Sequence, residues 1–340
     1  MKKLLMGVDV GASNIKIVGM KEKRDSYVVH HALIAPTPPM TVVEGAVMDH
    51  GAVSKTITEM ISKAKGIEKE IAIALKGDDV VVKTINVPWN GKGNFAEEFA
   101  WSAEQYIGMR EDQMSFDVQT IAYDIETLIA KVVVAAASKD KVSDMLNVVS
   151  ESGLKPIVVD IEALALVNLI NENRGKQKHV NTIIDIGYDS VRLIFFEKGN
   201  VDTVKSIPKG GKFLASDLAS DLSIDLEKAE EMIRDKEIMS NDADAQAAAM
   251  AYGNSLGSEI ETTVDIYMQE RGKEPVDFYI CGALSEVAEI IENIETSMGA
   301  SVIQIDPFKN IELPDAKKSA VEECGAATFA LAVSLAMRKA

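Results

Sequence analysis

GVDVGASNIKIVGMKEK (residues 7–23) decides the fold of this chain, because IIDIGYDSVRLIFFEKG (183–199) repeats its pattern. Each stretch runs from an apolar strand through Asp-x-Gly into a short polar turn with a serine. A basic residue then opens a second apolar strand. Asp9 aligns with Asp185, Gly11 with Gly187 and Lys16 with Arg192, at one constant offset (185 − 9, 187 − 11 and 192 − 16 all give 176). One such turn is more often a plain hairpin than an anion site. Two in register, each opening a lobe-sized segment, imply two related lobes that face one another.

The residue types suit a nucleotide held between those lobes. A turn with glycine at its tight point exposes successive backbone N–H groups as a concave anion site. On one side the phosphate candidates are Gly11, Ala12, Ser13, Asn14 and Lys16, with Lys16 supplying charge for the β- and γ-phosphates. On the other they are Gly187, Tyr188, Asp189 and Ser190. Asp9 and Asp185 would stand beside the phosphates and hold a hydrated Mg²⁺, which takes few carboxylates plus water and phosphate oxygens. Neither G-x-x-x-x-G-K-[ST] nor G-x-G-x-x-G occurs at these turns, which sets aside the P-loop and Rossmann readings.

Composition narrows the rest. With 47% hydrophobic and 26% charged residues over 340 positions, the chain has the make-up of a globular protein large enough for two lobes. A net charge of −17 argues against sequence-independent nucleic-acid binding and against broad attraction to anionic membranes, although a local basic patch escapes a whole-chain count. Cys281 and Cys324 read as buried, reduced thiols, and His30, His31, His50 and His179 form no metal-ligand pattern. LLMGV is cut short by Asp9, too early for a signal peptide, and no apolar run approaches a membrane span. A cytoplasmic protein is expected.

Along the chain, residues 2–35 read as three strands with turns at 11–14 and 21–26. SKTITEMISKAKG (54–66) reads as a helix capped by Ser54 and closed by Gly66. Residues 71–160 have a different texture: four strands mixed with two amphipathic helices, FAEEFAWSAEQYI and KVSDMLNVVSESG. The Phe95/Phe99/Tyr106 face of the first of these reads as core. A strand and buried helix follow in KPIVVDIEALALVNLI, and NENRGKQKH (171–179) is the clearest linker. Three strands open the second half. Helices span 212–271, then come the strand VDFYICG, the helix SEVAEIIENIETSMG, the strand VIQID and a closing helix from about 317.

With these motifs in hand, the chain resembles the actin/Hsp70/sugar-kinase ATPase superfamily. Besides the two turns, IPKGG (207–211) resembles the glycine pair facing the nucleotide, and AEEMI (229–233) the A-E-x-x-K segment beside adenosine. YICGALSEV (279–287) resembles the adenosine motif, and ECGAATFAL (323–331) the second connecting helix. Within the superfamily the likeness is to the PilM family of type IV pilus assembly, with FtsA a relative. It rests on VVEGAVMDHGAV, IAIALKGDDVVVKTINVP, SAEQYIGM, VVVAAASKDKV, SGLKPIVVDIEALAL and IDPFKNIEL, and covers nearly the whole chain. FtsA-like proteins end in a linker and an amphipathic membrane helix, whereas SLAMRKA follows directly on the hinge helix here, which favours the PilM family.

The resemblance implies an α/β, two-lobed actin-like fold of duplicated ribonuclease H-like halves with an FtsA/PilM-type 1C subdomain. Residues 1–70 with 156–180 and 317–340 would form the first lobe (1A), and 71–155 the inserted 1C unit. Residues 181–225 with 275–316 would form the second lobe (2A), and 226–274 the helical subdomain 2B. It implies ATP or ADP with Mg²⁺ in the cleft, with Gly210, Gly211, Glu230, Gly282, Ala283 and Leu284 toward adenosine. Three positions depart from the family pattern: Ala283 replaces a usual glycine, Ile233 replaces the lysine of A-E-x-x-K, and Gly108 replaces a usual proline. Asp160 and Glu162 occupy the interlobe connection where the superfamily places a water-activating group, but they suit better a role capping or solvating the next helix. The implied partner is the N-terminal cytoplasmic peptide of PilN, held between the first subdomain and 1C. Other pilus assembly proteins would join it, and membrane contact would come only through partners. An active ATPase or phosphotransferase, and an FtsA-like filament, are the other readings of the same fold.

Overall fold

The computed structural model describes residues 4–24 and 26–338; residues 1–3, Asp25 of the second expected turn, and 339–340 lie outside the described residues. The chain opens with β1 (Leu4–Val10), β2 (Asn14–Lys23) and β3 (Ser26–Pro36), an antiparallel meander. A two-residue-strand hairpin, β4 (Val42–Val43) and β5 (Ala46–Val47), leads to helix α1 (His50–Ser62). Asp49, not Ser54, caps that helix by accepting from the Ala52 N–H at 3.0 Å. The apolar stripe Val53, Ile57 and Met60 is the same for either start, so periodicity alone could not choose between the two capping residues. Ser54 is buried inside the helix and donates to the Val148 carbonyl, and the helix ends at Ser62, short of Gly66.

Next come β6 (Glu70–Leu75), β7 (Val81–Pro88), α2 (Phe95–Ala100), α3 (Ala103–Ile107), β8 (Met114–Asp124), β9 (Ile129–Ser138) and α4 (Lys139–Glu151). The expected single helix over 95–107 is broken at Trp101–Ser102, and the Phe95, Phe99 and Tyr106 rings stack in series as core. β10 (Lys155–Ile161) and α5 (Glu162–Arg174) return to the first lobe.

The second half begins with β11 (Val180–Ile186), β12 (Val191–Glu197) and β13 (Asn200–Ile207). Four helices follow: α6 (Gly211–Leu222), α7 (Leu226–Arg234), α8 (Lys236–Asn241) and α9 (Ala243–Arg271). β14 (Pro275–Cys281), α10 (Ala288–Met298), β15 (Val302–Gln304) and β16 (Ile311–Glu312) precede the closing helices, α11 (Asp315–Cys324) and α12 (Ala330–Ala336).

Two sheets organise these elements. The first has the order β10-β6-β1-β2-β3-β16; the second runs β15-β14-β11-β12-β13-β7-β9-β8. Each contains an antiparallel meander flanked by a parallel strand, β6 beside β1 and β14 beside β11, as the sequence echo requires. The strand that opens the 71–155 segment belongs to the first sheet, while β7, β9 and β8 extend the second through a single pair, Thr203–Lys83. α12 packs against β1 with every side chain buried. Gly7 makes that approach possible: a Cβ there would stand 2.2 Å from the Ala332 carbonyl oxygen. Gly7→Ala is therefore expected to cost about 1–3 kcal/mol or more in denaturant unfolding. An unchanged midpoint would mean that the helix slides away freely.

Among the described residues no single helix is long and apolar enough to cross a membrane. The closing segment is bent by 97° between α11 and the stretch that ends in α12.

Candidate functional site

The two echoed turns face each other across a cleft between the sheets, and they are the same turn twice. The Gly11 N–H donates to the Asn14 carbonyl at 3.1 Å, and the Gly187 N–H donates to the Ser190 carbonyl at 3.1 Å. A Cβ on Gly11 would lie 2.7 Å from the Asn14 oxygen, and one on Gly187 2.8 Å from the Ser190 oxygen, so both turns need glycine for room. Ala12, Ser13, Asn14 and Lys16 line one wall, and Tyr188, Asp189 and Ser190 the other. The Glu44 N–H, on the β4–β5 hairpin, reaches across and donates to Asp189 Oδ2 at 2.7 Å, tying the two lobes together at the cleft.

Strand register places Asp9 opposite Lys16 and Asp185 opposite Arg192, yet the two pairs behave differently. Lys16 Nζ lies 2.9 Å from Asp9 Oδ2, and Lys76 Nζ lies 2.7 Å from Asp9 Oδ1. Burial alone would raise the Asp9 pKa, but the two ammonium groups outweigh it and hold the carboxyl well below the ordinary range. Arg192 instead turns to Glu162, with Nε 2.9 Å from Oε2. Asp185 is left with the Cys281 thiol, which donates to its Oδ1 at 3.5 Å. Burial consequently raises the Asp185 pKa, and it does the same to Glu162 despite Arg192; burial also pushes the Cys281 thiol up. The duplication is thus symmetric in backbone and asymmetric in charge.

Lys76 has no counterpart among the residues singled out from sequence. It follows the apolar strand EIAIAL, and only the parallel pairing of β6 with β1 brings it to Asp9. Glu44 and Gly45 at the cleft mouth lie in VVEGAVMDHGAV, a stretch that carries the family likeness, but nothing in the sequence marked them as site residues.

Beyond the second turn the cleft opens into a neighbouring depression lined by Gly211, Glu230, Ile233, Arg234, Ala283 and Leu284. Tyr188 enters it from the turn and donates its hydroxyl to Glu230, while Arg234 lies 3.6 Å from the same carboxylate. Arg234, one position beyond the missing lysine, thereby lines this space. Gly282 lines the first cleft, at φ +96°, with an added Cβ 2.2 Å from the Ile186 oxygen. Gly210 lines neither space. It sits under the second turn, where its N–H donates to Asp189 and the next two N–H groups donate to Gly187 and Tyr188. Among the described residues, no three His, Cys, Asp or Glu side chains converge to hold a metal unaided.

Of the two carboxylates at the lobe connection, only Glu162 enters the cleft. Asp160 lies outside it, 2.7 Å from Arg338 Nε, and its Oδ1 accepts from the Ile161 N–H. Neither caps α5 with its side chain, since Ile161 is the capping residue. Asp160 belongs to a groove between the β10 edge of the first sheet and the β8–β9 face, lined also by Phe116, Val118, Ala135, Val142, Val159 and Leu164. β10 and β8 are both terminal strands of their sheets. Leu75 and Ile161 line this groove, while the next residues in the chain, Lys76 and Glu162, line the cleft.

Two meander-plus-parallel-strand halves closing on paired glycine turns define a two-lobed, actin-like protein. Over 99% of both chains, at 22% identity and a TM-score of 0.84, the chain matches the structure "PilM-PilN type IV pilus biogenesis complex". It also matches the ethanolamine utilization protein EutJ from Carboxydothermus hydrogenoformans at 15% identity and a TM-score of 0.60, covering 99% of this chain and 90% of that one. MreB5 of Spiroplasma citri bound to AMPPNP matches at 11% identity and a TM-score of 0.50, over 95% of each chain. Residues 7–340 fit the family described as type IV pilus assembly protein PilM, and the chain belongs to it.

Proposed function

We propose that this chain binds ATP or ADP with Mg²⁺ between its lobes and acts as a cytoplasmic scaffold in the inner-membrane platform of a type IV pilus or related machine. In this reading it captures the N-terminal cytoplasmic peptide of PilN and reaches the membrane through that partner and other assembly proteins. The observation that carries the reading is the placement of the paired turns and the groove back to back. Lys76 and Glu162 face the nucleotide side, and Leu75 and Ile161 the groove. A nucleotide that draws the lobes together then alters the groove through two strand ends, provided the open and closed forms bind it with different affinity.

Backbone N–H groups of the two turns, Ser13, Asn14, Ser190 and Lys16 would hold the phosphates; Gly211, Glu230, Ala283 and Leu284 would face the base and ribose. The donor set fits Mg²⁺. It is all oxygen, and Asp185 is a half-buried carboxylate with no lysine or arginine in direct contact among the described residues. Mg²⁺ would supply charge neutralisation on the phosphates. Because burial raises Asp185 and Glu162, binding of Mg²⁺–ATP should release protons just above the ordinary carboxylate range, fading as pH passes their raised values. Calorimetry in buffers of different ionisation enthalpy reads this directly; equal heats in all buffers would remove the metal from these carboxylates.

Titration with a synthetic PilN N-terminal peptide, with and without ATP, tests the scaffold. No binding in either condition overturns it. Glu162 in the cleft favours a second reading, an active ATPase, because a carboxylate there could activate water. Its pairing with Arg192 at 2.9 Å works against that role, so hydrolysis is expected to be slow or accessory. Fast phosphate release that disappears in Lys16→Ala would replace the scaffold by an enzyme, and ATP-dependent sedimentation would favour a filament.

A further inference from the structure

At the end of the β1–β2 ladder opposite the phosphate turns, a surface depression gathers positive charge on a chain of net charge −17. Lys21 comes from β2, His30 and His31 from β3, Lys63 and Lys65 from the segment after α1, and Lys317 from α11; Glu68 is the single carboxylate in the lining. Neighbouring lysines on the same elements have found acids: Lys23 is 2.8 Å from Glu312, and Lys318 is 2.7 Å from Asp315. Among the described residues, Lys21, Lys63, Lys65 and Lys317 pair with none.

Crowding like charges raises the free energy of the folded chain, and the carbonyl end of α1, where Lys63 is the capping residue, offsets it only in part. His31, 8% exposed, has its pKa held below that of a free imidazole chiefly by burial, against a hydrogen bond at Gly66 that favours the charged ring, with Lys317 and His30 adding to the lowering. Four separate segments bring these basic residues to one concave spot, so no single amphipathic helix accounts for the pattern.

We propose that this depression is a second anion site, distinct from the interlobe cleft, that takes a phosphate group. Several ammonium groups converging on a shallow hollow match the charge and the several acceptor oxygens of a phosphate ester. That chemistry is shared by the headgroups of acidic phospholipids and by soluble phosphate, and the test separates the two.

The full chain is mixed with phosphatidylglycerol-containing vesicles or with phosphatidylcholine vesicles alone, and in parallel titrated with inorganic phosphate. The variant is Lys63→Glu with Lys65→Glu, both exposed. The control is Lys92→Glu with Lys228→Glu, which changes net charge equally at exposed positions elsewhere. ATP binding and thermal unfolding report that each variant is folded. Phosphate binding should fall at least about tenfold in the variant but not in the control, and should weaken with salt; the same loss on acidic vesicles assigns the site to a lipid headgroup, a membrane contact in addition to the one made through partners. Loss of phosphate binding alone would assign the site to a soluble anion. Absence of both kinds of binding at low ionic strength, or equal loss in variant and control, overturns the proposal.

Discussion

Replacing Lys76 with methionine is expected to weaken ATP binding roughly 10- to 100-fold, the scale of one lost charge-assisted contact of about 1.5–3 kcal/mol. Lys76 and Lys16 grip the two oxygens of Asp9, at 2.7 and 2.9 Å, leaving one net positive charge at the mouth of the first turn. Arriving phosphates can draw on that charge without either lysine leaving Asp9 bare. With methionine the local charge falls to zero while the shape is nearly kept. The same substitution carries a pH signature that does not depend on nucleotide. Asp9 titrates far lower in the folded chain than its ordinary 3.8, so its stabilising contribution is present above that value and is lost as pH falls. Without Lys76 the folded value moves up, and acid unfolding should begin at higher pH. Lys76 is itself held above 10.5 by Asp9 despite burial, so its contribution is present below that pH and disappears as pH rises further. The variant should therefore lose the alkaline limb as well. Wild-type ATP affinity together with an unmoved acid transition would show that Lys76 serves neither the phosphates nor Asp9.

The paired turns could be read from the sequence because they are local. Gly11 and Gly187 close the same hydrogen bond over the same number of residues, and a one-dimensional repeat reports that geometry. The strands of both meanders were legible for the same reason. Charge was not. Asp9 and Asp185 look equivalent in sequence, but whether Lys16 or Arg192 stays with its register partner depends on what the neighbouring strand and helix offer, here Glu162. Lys76 carried no signal because its partner lies 67 residues away, across a parallel pairing that periodicity does not encode. Asp160 and Glu162 illustrate a different limit. A two-residue separation along a strand would put both on one face, but α5 begins at Glu162 and turns it into the cleft, leaving Asp160 with Arg338 in the groove. The break at Trp101 is of the same kind: the apolar pattern runs on through it, yet Phe95 and Phe99 are buried in one cluster with residues of β8 and β9 while Trp101 stands exposed.

Ala135→Trp is expected to abolish capture of the PilN peptide, at least about thirtyfold in affinity on the scale of an interface hot spot, while leaving ATP binding unchanged. Ala135 is a small residue on the β9 wall of the groove, facing the β10 edge, where an indole would occupy the space a peptide needs. The groove has the ingredients for an added strand. β10 ends its sheet with unpaired backbone groups, Val159 and Ile157 are about 40% exposed along it, and β8 is the open edge opposite. A peptide docked there exchanges exposed apolar side chains and open hydrogen-bonding groups for contacts, which is why bulk on the facing wall is more damaging than loss of any single polar group. Arg338→Ala makes the companion measurement. It removes the partner 2.7 Å from the Asp160 carboxylate, whose pKa burial already raises, and should weaken the peptide only severalfold. If Ala135→Trp folds, binds ATP and still takes the peptide with wild-type affinity, PilN docks elsewhere and the coupling through Leu75–Lys76 and Ile161–Glu162 has no peptide to serve.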